Sequence, residues 1–143
     1  MEITATCVLP GTGEGQLLST RQAISFWGCV DPVTGKISDK RHELFGESIF
    51  QKILMFPFGK GSSTGSLILL ELLRLNLAPA AIINIRTELL LATGPIVGKH
   101  FYGVTLPIVN IHSKDFDLLK SGMVAEVVSL PDDSYVRIKN NFS

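Results

Sequence analysis

Residues 53–85 constrain the fold more than any other stretch of the chain. Ile53-Leu54-Met55-Phe56 is an unbroken apolar run with the length of a buried strand. Gly59–Gly65 interrupts it with glycines and serines. Thr64–Asn76 then has helical composition. Leu67, Leu70, Glu71 and Arg74 share one face at helical spacing, and Ile68, Leu69, Leu72 and Leu73 make the other faces apolar too. A helix that is apolar on most faces is buried or covered by a partner. Pro79 stops it, and Ala80–Ile85 reads as a strand.

The flanks extend this pattern. Ile3–Leu9 is a strand ended by Pro10-Gly11-Thr12-Gly13, and Glu14–Ser19 is a second short strand. Ile24–Val30 is apolar and aromatic, and Asp31-Pro32-Val33-Thr34-Gly35 makes a turn. Glu88–His100 is a second helix, which Gly94-Pro95 is expected to weaken or split. Leu106–Ile111 is a strand and Phe116–Lys120 a turn of helix. Met123–Ser129 and Tyr135–Lys139 form a hairpin across Pro131-Asp132-Asp133. Strands come first, then strand–helix–strand–helix–strand, then a hairpin. That order specifies one α/β domain over 1–143, with a β-rich half.

Composition narrows the function classes. Of 143 residues, 45% are apolar and 18% charged, which excludes a disordered chain. Thirteen basic residues balance thirteen acidic ones, so no nucleic-acid footprint or affinity for an anionic membrane is expected. Zero net charge does little to keep molecules apart and suits a subunit with a partner. The longest stretches without a charge, Leu75–Ile85 and His100–Ser113, are broken by polar residues, proline or glycine. Neither reaches the run of about 20 apolar residues that a membrane helix needs. The start, Met1-Glu2-Ile3-Thr4-Ala5, has no basic region of a signal peptide, and the expected location is the cytoplasm. Cys7 and Cys29 read as reduced thiols, and with His42, His100 and His112 they show no metal-ligand spacing.

Three motifs could carry chemistry. Phe58-Gly59-Lys60-Gly61-Ser62-Ser63-Thr64-Gly65-Ser66 follows a buried strand and opens a helix. Its glycines permit close approach, and the amides at a helix start attract an anion. The spacing is neither that of a Walker A loop nor of the dinucleotide fingerprint. One reading is a helix cap by Ser62 or Ser63; the other is an anion or carboxylate site. The second motif, Ser25-Phe26-Trp27-Gly28-Cys29-Val30-Asp31-Pro32, is either a core aromatic followed by a turn or a loop lining a site. The third, Asp39–Ser48, is charged enough to be a solvated loop, yet Arg41 could grip a carboxylate or phosphate through its planar fork. No spacing supports a triad from Ser, His42 and Asp39.

Together and in order, these motifs resemble the small subunit, or swivel domain, of the aconitase X family. The matching residues are Glu14-Gly15, Ser25-Phe26-Trp27-Gly28, Val30-Asp31-Pro32 with Thr34-Gly35, Asp39 with Arg41-His42, Gly46-Glu47-Ser48, Gly59–Ser66 and Ala78–Ile82. They span about residues 10 to 128. Cys29 stands where glycine is expected.

The resemblance implies a swivelling β/β/α domain that closes over a large subunit carrying an iron–sulfur cluster. This chain, with two cysteines, is expected to hold no cofactor itself. By likeness to the aconitase Gly-Ser-Ser-Arg stretch, Ser62 is the catalytic base and Ser63 binds substrate, while Thr64 replaces the arginine. Gly61 and Ser63 amides are expected to stabilise the Ser62 alkoxide, and Lys60 or Arg41 to contact an anionic group of the substrate. The family contains phosphomevalonate dehydratases, which make trans-anhydromevalonate 5-phosphate in an isoprenoid route, and cis-3-hydroxy-L-proline dehydratases. A separate small subunit favours the first, with a small phosphorylated hydroxy acid as substrate. The reading from another class is a non-catalytic anion-binding or assembly module.

Overall fold

A computed structural model describes residues 1–139. In chain order its elements are β1 (Glu2–Leu9), β2 (Gly11–Ser19), the irregular turn α1 (Phe26–Cys29), β3 (Val30–Asp31), β4 (Lys36–Ile37), β5 (Ile53–Met55) and β6 (Phe58–Gly59). There follow α2 (Ser63–Arg74), β7 (Ala81–Asn84), β8 (Arg86–Thr87), α3 (Leu89–Tyr102), β9 (Ile108–Asn110), α4 (Ser113–Phe116), β10 (Val124–Ser129) and β11 (Ser134–Lys139).

Seven strands close into a barrel in the order β1-β11-β10-β2-β5-β7-β9, and β9 pairs back onto β1. Half of it, β2-β5-β7-β9, is parallel, and the rest is antiparallel. Parallel neighbours need long crossovers; α2 supplies the one from β5 to β7 and α3 the one from β7 to β9, while the segment holding α1, β3 and β4 links β2 to β5. The strand periodicity sorts the core into two. Ile3, Leu17, Ile53, Met55, Ala81, Ile83, Val109, Ala125, Val127 and Val136, drawn from all seven barrel strands, form one buried cluster, the barrel interior. Their chain neighbours Leu18, Leu54, Ile82 and Ile108 point the other way, into a cluster with Phe26, Phe56, Leu69, Leu72, Leu73 and Leu91. The parallel strands are thus covered on both faces, which is why they read as unbroken apolar runs.

Two differences from the sequence reading have physical causes. The first strand ends at Leu9 as expected, but the turn does not extend to Gly13. Pro10 is a corner, and β2 already begins at Gly11. A Cβ at Gly13 would collide with the Ala80 carbonyl oxygen and one at Gly15 with that of Gln51, so these glycines admit neighbouring backbone and are not turn residues. Nor does Gly94-Pro95 split the second helix, since α3 runs unbroken through Pro95. Proline leaves the Leu91 carbonyl without its helical donor. The Ser66 hydroxyl donates to that carbonyl at 3.4 Å and accepts the Gly94 N–H at 2.6 Å. The helices touch at this point, where a Cβ on Gly94 would overlap the Ser66 backbone oxygen. The third helical turn also starts earlier than expected, at Ser113, with His112 as its cap.

Candidate active site

Two loops leave the same end of the parallel strands. Phe56–Ser62 leads from β5 to α2, and Ile85–Glu88 leads from β7 to α3. The parallel pair β6–β8 ties them together, with Phe58 opposite Arg86 and Gly59 opposite Thr87. The Glu88 N–H donates to the Gly59 carbonyl at 2.9 Å, and the Gly61 N–H donates to Glu88 Oε2 at 3.1 Å. Beneath them lies a polar network built on one buried amide. Asn84 is fully buried, donates through Nδ2 to the Phe56 carbonyl at 2.7 Å, and accepts from Thr87 Oγ1 at 2.8 Å. Thr87 Oγ1 is also 2.8 Å from Asn110 Oδ1. Buried polar groups are costly when unpaired, so the network fixes both loops to the strand ends. It also explains Gly59, where a Cβ would stand 2.5 Å from Asn84 Oδ1 and 2.9 Å from Leu91 Cδ2.

Ser62 sits on this platform as the N-cap of α2. Its backbone is extended, at φ −144° and ψ 155°, and its Oγ accepts the Gly65 N–H at 2.9 Å. Ser62, Ser63 and Thr64 are exposed, whereas Gly65 and Ser66 are buried. Of the two candidate caps, Ser62 takes the role. The residue is exposed while its Oγ caps the helix, so capping and chemistry do not exclude each other. Lys60, also exposed, lines a pocket of about 160 Å³ with Phe58, Gly59, Arg86 and Glu88.

Comparison with known proteins shows the family of the chain. The aconitase X swivel domain matches residues 2–138. The chain belongs to the aconitase X swivel-domain family. It is 42% identical over 134 residues to the phosphomevalonate dehydratase small subunit of Methanothrix thermoacetophila, covering 94% of this chain and 98% of that one. It is 39% identical over 114 residues to the cis-3-hydroxy-L-proline dehydratase of Hypocrea jecorina, covering 80% of this chain but 19% of that protein. The crystal structure of Thermococcus kodakaraensis aconitase X in its holo form superposes with a TM-score of 0.84 at 35% identity, over 98% of this chain and 99% of that one.

Of the other marked residues of this swivel domain, the turn that carries Trp27 packs beside α2, whereas Arg41 and His42 bond within their own loop and to Ala23. The lone tryptophan is not a core residue. Phe26 is buried and packs edge-on against Phe56 at 6.1 Å, while Trp27 is 62% exposed. Gly28, at φ 90°, lets the chain reverse there. Phe26 also comes within reach of Gly65, so Trp27 rides on a turn packed beside the start of α2. Arg41 is almost fully exposed and pairs with Asp39 at 3.5 Å. The Arg41 backbone N–H, foremost, and its guanidinium hold the Asp39 carboxyl below its ordinary range. His42 is committed at both nitrogens: Nδ1 accepts the Leu44 N–H at 3.0 Å, so Nε2 carries the proton toward the Ala23 carbonyl at 3.1 Å. It pins the loop and leaves no lone pair for a triad.

The swivel domain's donor set does not fit an iron–sulfur cluster. Among the described residues no three of His, Cys, Asp and Glu converge. Cys7 is half-buried on β1, and Cys29 is buried in the outer core. Burial, and then the Asp39 charge, push the Cys29 thiol up, which disfavours the thiolate a metal takes.

Arg86 and Glu88 escaped the sequence reading. Ile85-Arg86-Thr87-Glu88 follows an apolar strand and opens a helix, as Phe56–Ser62 does. Adjacent parallel strands deliver their following loops to one crevice. Pairing of β5 with β7 is therefore the missing signal. The Gly61 amide, expected at the Ser62 oxygen, is turned to Glu88, and Gly65 supplies the amide at Ser62.

Proposed function

We propose that this chain is the small subunit of a phosphomevalonate dehydratase, a two-chain hydro-lyase of the cytoplasm that converts 5-phosphomevalonate to trans-anhydromevalonate 5-phosphate. Its large subunit carries the iron–sulfur cluster, and Ser62 of this chain takes the substrate proton. The observation that carries the reading is the exposed Ser62 hydroxyl capping α2, in a chain that matches a named small subunit over 98% of that subunit's length.

The dehydration removes a proton from the carbon beside the carboxylate and a hydroxyl from the next carbon, leaving a double bond and water. This chain's share is the proton. A serine hydroxyl is a poor base unless its alkoxide is stabilised. At Ser62 the Gly65 N–H already points at Oγ, and the positive end of the α2 dipole lies behind it. Both act more strongly once a covering subunit excludes water. Ser63 and Thr64 stand on the same exposed first turn to bind substrate oxygens, and the bond from Gly61 to Glu88 fixes the approach to Ser62. Lys60 meets an anionic group of the substrate. Arg41, exposed and already paired with Asp39, is the second candidate for such a contact.

A second reading, dehydration of cis-3-hydroxy-L-proline, is favoured by the Hypocrea jecorina relative. One experiment separates them. The chain is reconstituted anaerobically with its large subunit and offered each substrate. Turnover of 5-phosphomevalonate, lost in Ser62→Ala, is the expected result. Turnover of hydroxyproline alone would transfer the assignment.

A further inference from the structure

Four of the five arginines are neutralised by carboxylates: Arg21 by Asp117, Arg41 by Asp39, Arg74 by Glu71, and Arg137 by Glu2 and Glu126. Arg86 is the exception among the described residues. It is not on a random stretch of surface. The β6–β8 pair sets it beside Phe58, two residues before Lys60, and both cations line the pocket that borders the Ser62 loop. The one carboxylate there, Glu88, is held from two sides. It accepts the Gly61 N–H and stands at the N-cap of α3, where the helix dipole offsets its charge. Two cations against one carboxylate leave the pocket net positive.

We infer that Arg86 is a substrate-binding residue, which with Lys60 forms the subsite for the phosphate monoester of the substrate. The inference rests on the proposed phosphorylated substrate and gives its phosphate a place. A phosphate dianion matches the arrangement. Guanidinium offers a planar pair of N–H donors, ammonium adds a point charge, and phosphate oxygens accept from both. The geometry also assigns a purpose to the loop pairing. A phosphate held by Lys60 and Arg86 is gripped by both βα loops, so binding energy remote from the reacting carbons orients the substrate toward Ser62.

The test uses the reconstituted two-chain enzyme carrying Arg86→Gln, Arg86→Lys or Lys60→Gln. Arg86 is exposed, so the variants should assemble as the parent does. Losing one charge-assisted contact raises KM for 5-phosphomevalonate by about 30-fold in Arg86→Gln, with partial recovery in Arg86→Lys. Inorganic phosphate, as inhibitor or as a ligand followed by phosphorus NMR, weakens in parallel, and the preference for 5-phosphomevalonate over mevalonate shrinks. Unchanged KM and unchanged phosphate binding in both glutamine variants overturn the subsite. An equal loss on mevalonate does so too, because it puts the guanidinium on the carboxylate. The phosphate readout needs no turnover. Phosphate binding lost in Arg86→Gln therefore supports the subsite even if 5-phosphomevalonate is not the substrate, and a silent Ser62→Ala would remove the base alone.

Discussion

Ser62 caps α2 in this structure and is proposed as the base, and the two roles can be pulled apart by choosing substitutions that cap equally well. Its Oγ satisfies the Gly65 N–H, one of the donors a helix start leaves open. Removing a serine cap costs about 1 kcal/mol when alanine replaces it, only a few tenths with glycine, and almost nothing with asparagine. For a chain of 143 residues, the unfolding entropy is about 0.3 kcal/mol/K. Ser62→Ala should then lower Tm by about 3 °C, Ser62→Gly by about 1 °C and Ser62→Asn by less. Base chemistry ranks the variants differently. None of the three side chains can form an alkoxide, so all should lose about 10³-fold in turnover, within the range for a positioned acid or base. The assays are thermal unfolding of the purified chain and steady-state dehydration by the reconstituted complex. The glycine variant guards against the extra bulk of asparagine. Turnover that follows the stability order, with Ser62→Asn or Ser62→Gly within tenfold of the parent, would refute the base and leave only a cap.

Three further outcomes follow from the packing and the donor set. Gly94→Ala should destabilise the chain by about 1–3 kcal/mol in urea unfolding, because the new Cβ meets the Ser66 backbone oxygen and neither helix can yield there; stability equal to or above the parent would mean that the α2–α3 contact is looser than described. Cys29, its thiol raised by burial and by Asp39, should resist iodoacetamide at neutral pH and react only as the pH climbs or the chain unfolds. The sign carries over to stability: a folded-state value above the unfolded one contributes below the unfolded value and is lost as pH rises through the folded one. Labelling of native Cys29 as fast as a free thiol would contradict its burial. Purified alone, the chain should be colourless and inactive toward 5-phosphomevalonate, and turnover or a brown chromophore without the partner would relocate the chemistry.

The parts of this fold that could be read from the sequence are those whose signal is local. Ile53–Met55, Ala81–Asn84 and Ile108–Asn110 announce themselves because both faces are buried, one in the barrel and one under α2 and α3. Ser62 is visible as a cap because glycine and hydroxyl residues cluster immediately before an apolar helix. What the sequence hid depends on contacts far along the chain. Gly13 looks like a turn residue until Ala80 is laid across it, and Pro95 looks like a break until Ser66 takes up the carbonyl it abandons. The same holds at the site. Nothing within Ile85–Glu88 marks it as functional, and it becomes so only when β7 lies parallel to β5 and the two loops bond. The candidate site is therefore a product of topology as much as of motif. One loop contributes Lys60 and Ser62, the other contributes Arg86 and Glu88, and the buried amide of Asn84, the half-buried amide of Asn110 and the Thr87 hydroxyl hold the two in register. A substitution in that network, far from any substrate, should act on the site through the relative position of the loops. Asn84→Ala would leave the Phe56 carbonyl without its amide donor and the Thr87 hydroxyl with Asn110 alone, loosening the segment that carries Ser62 before it unfolds the barrel.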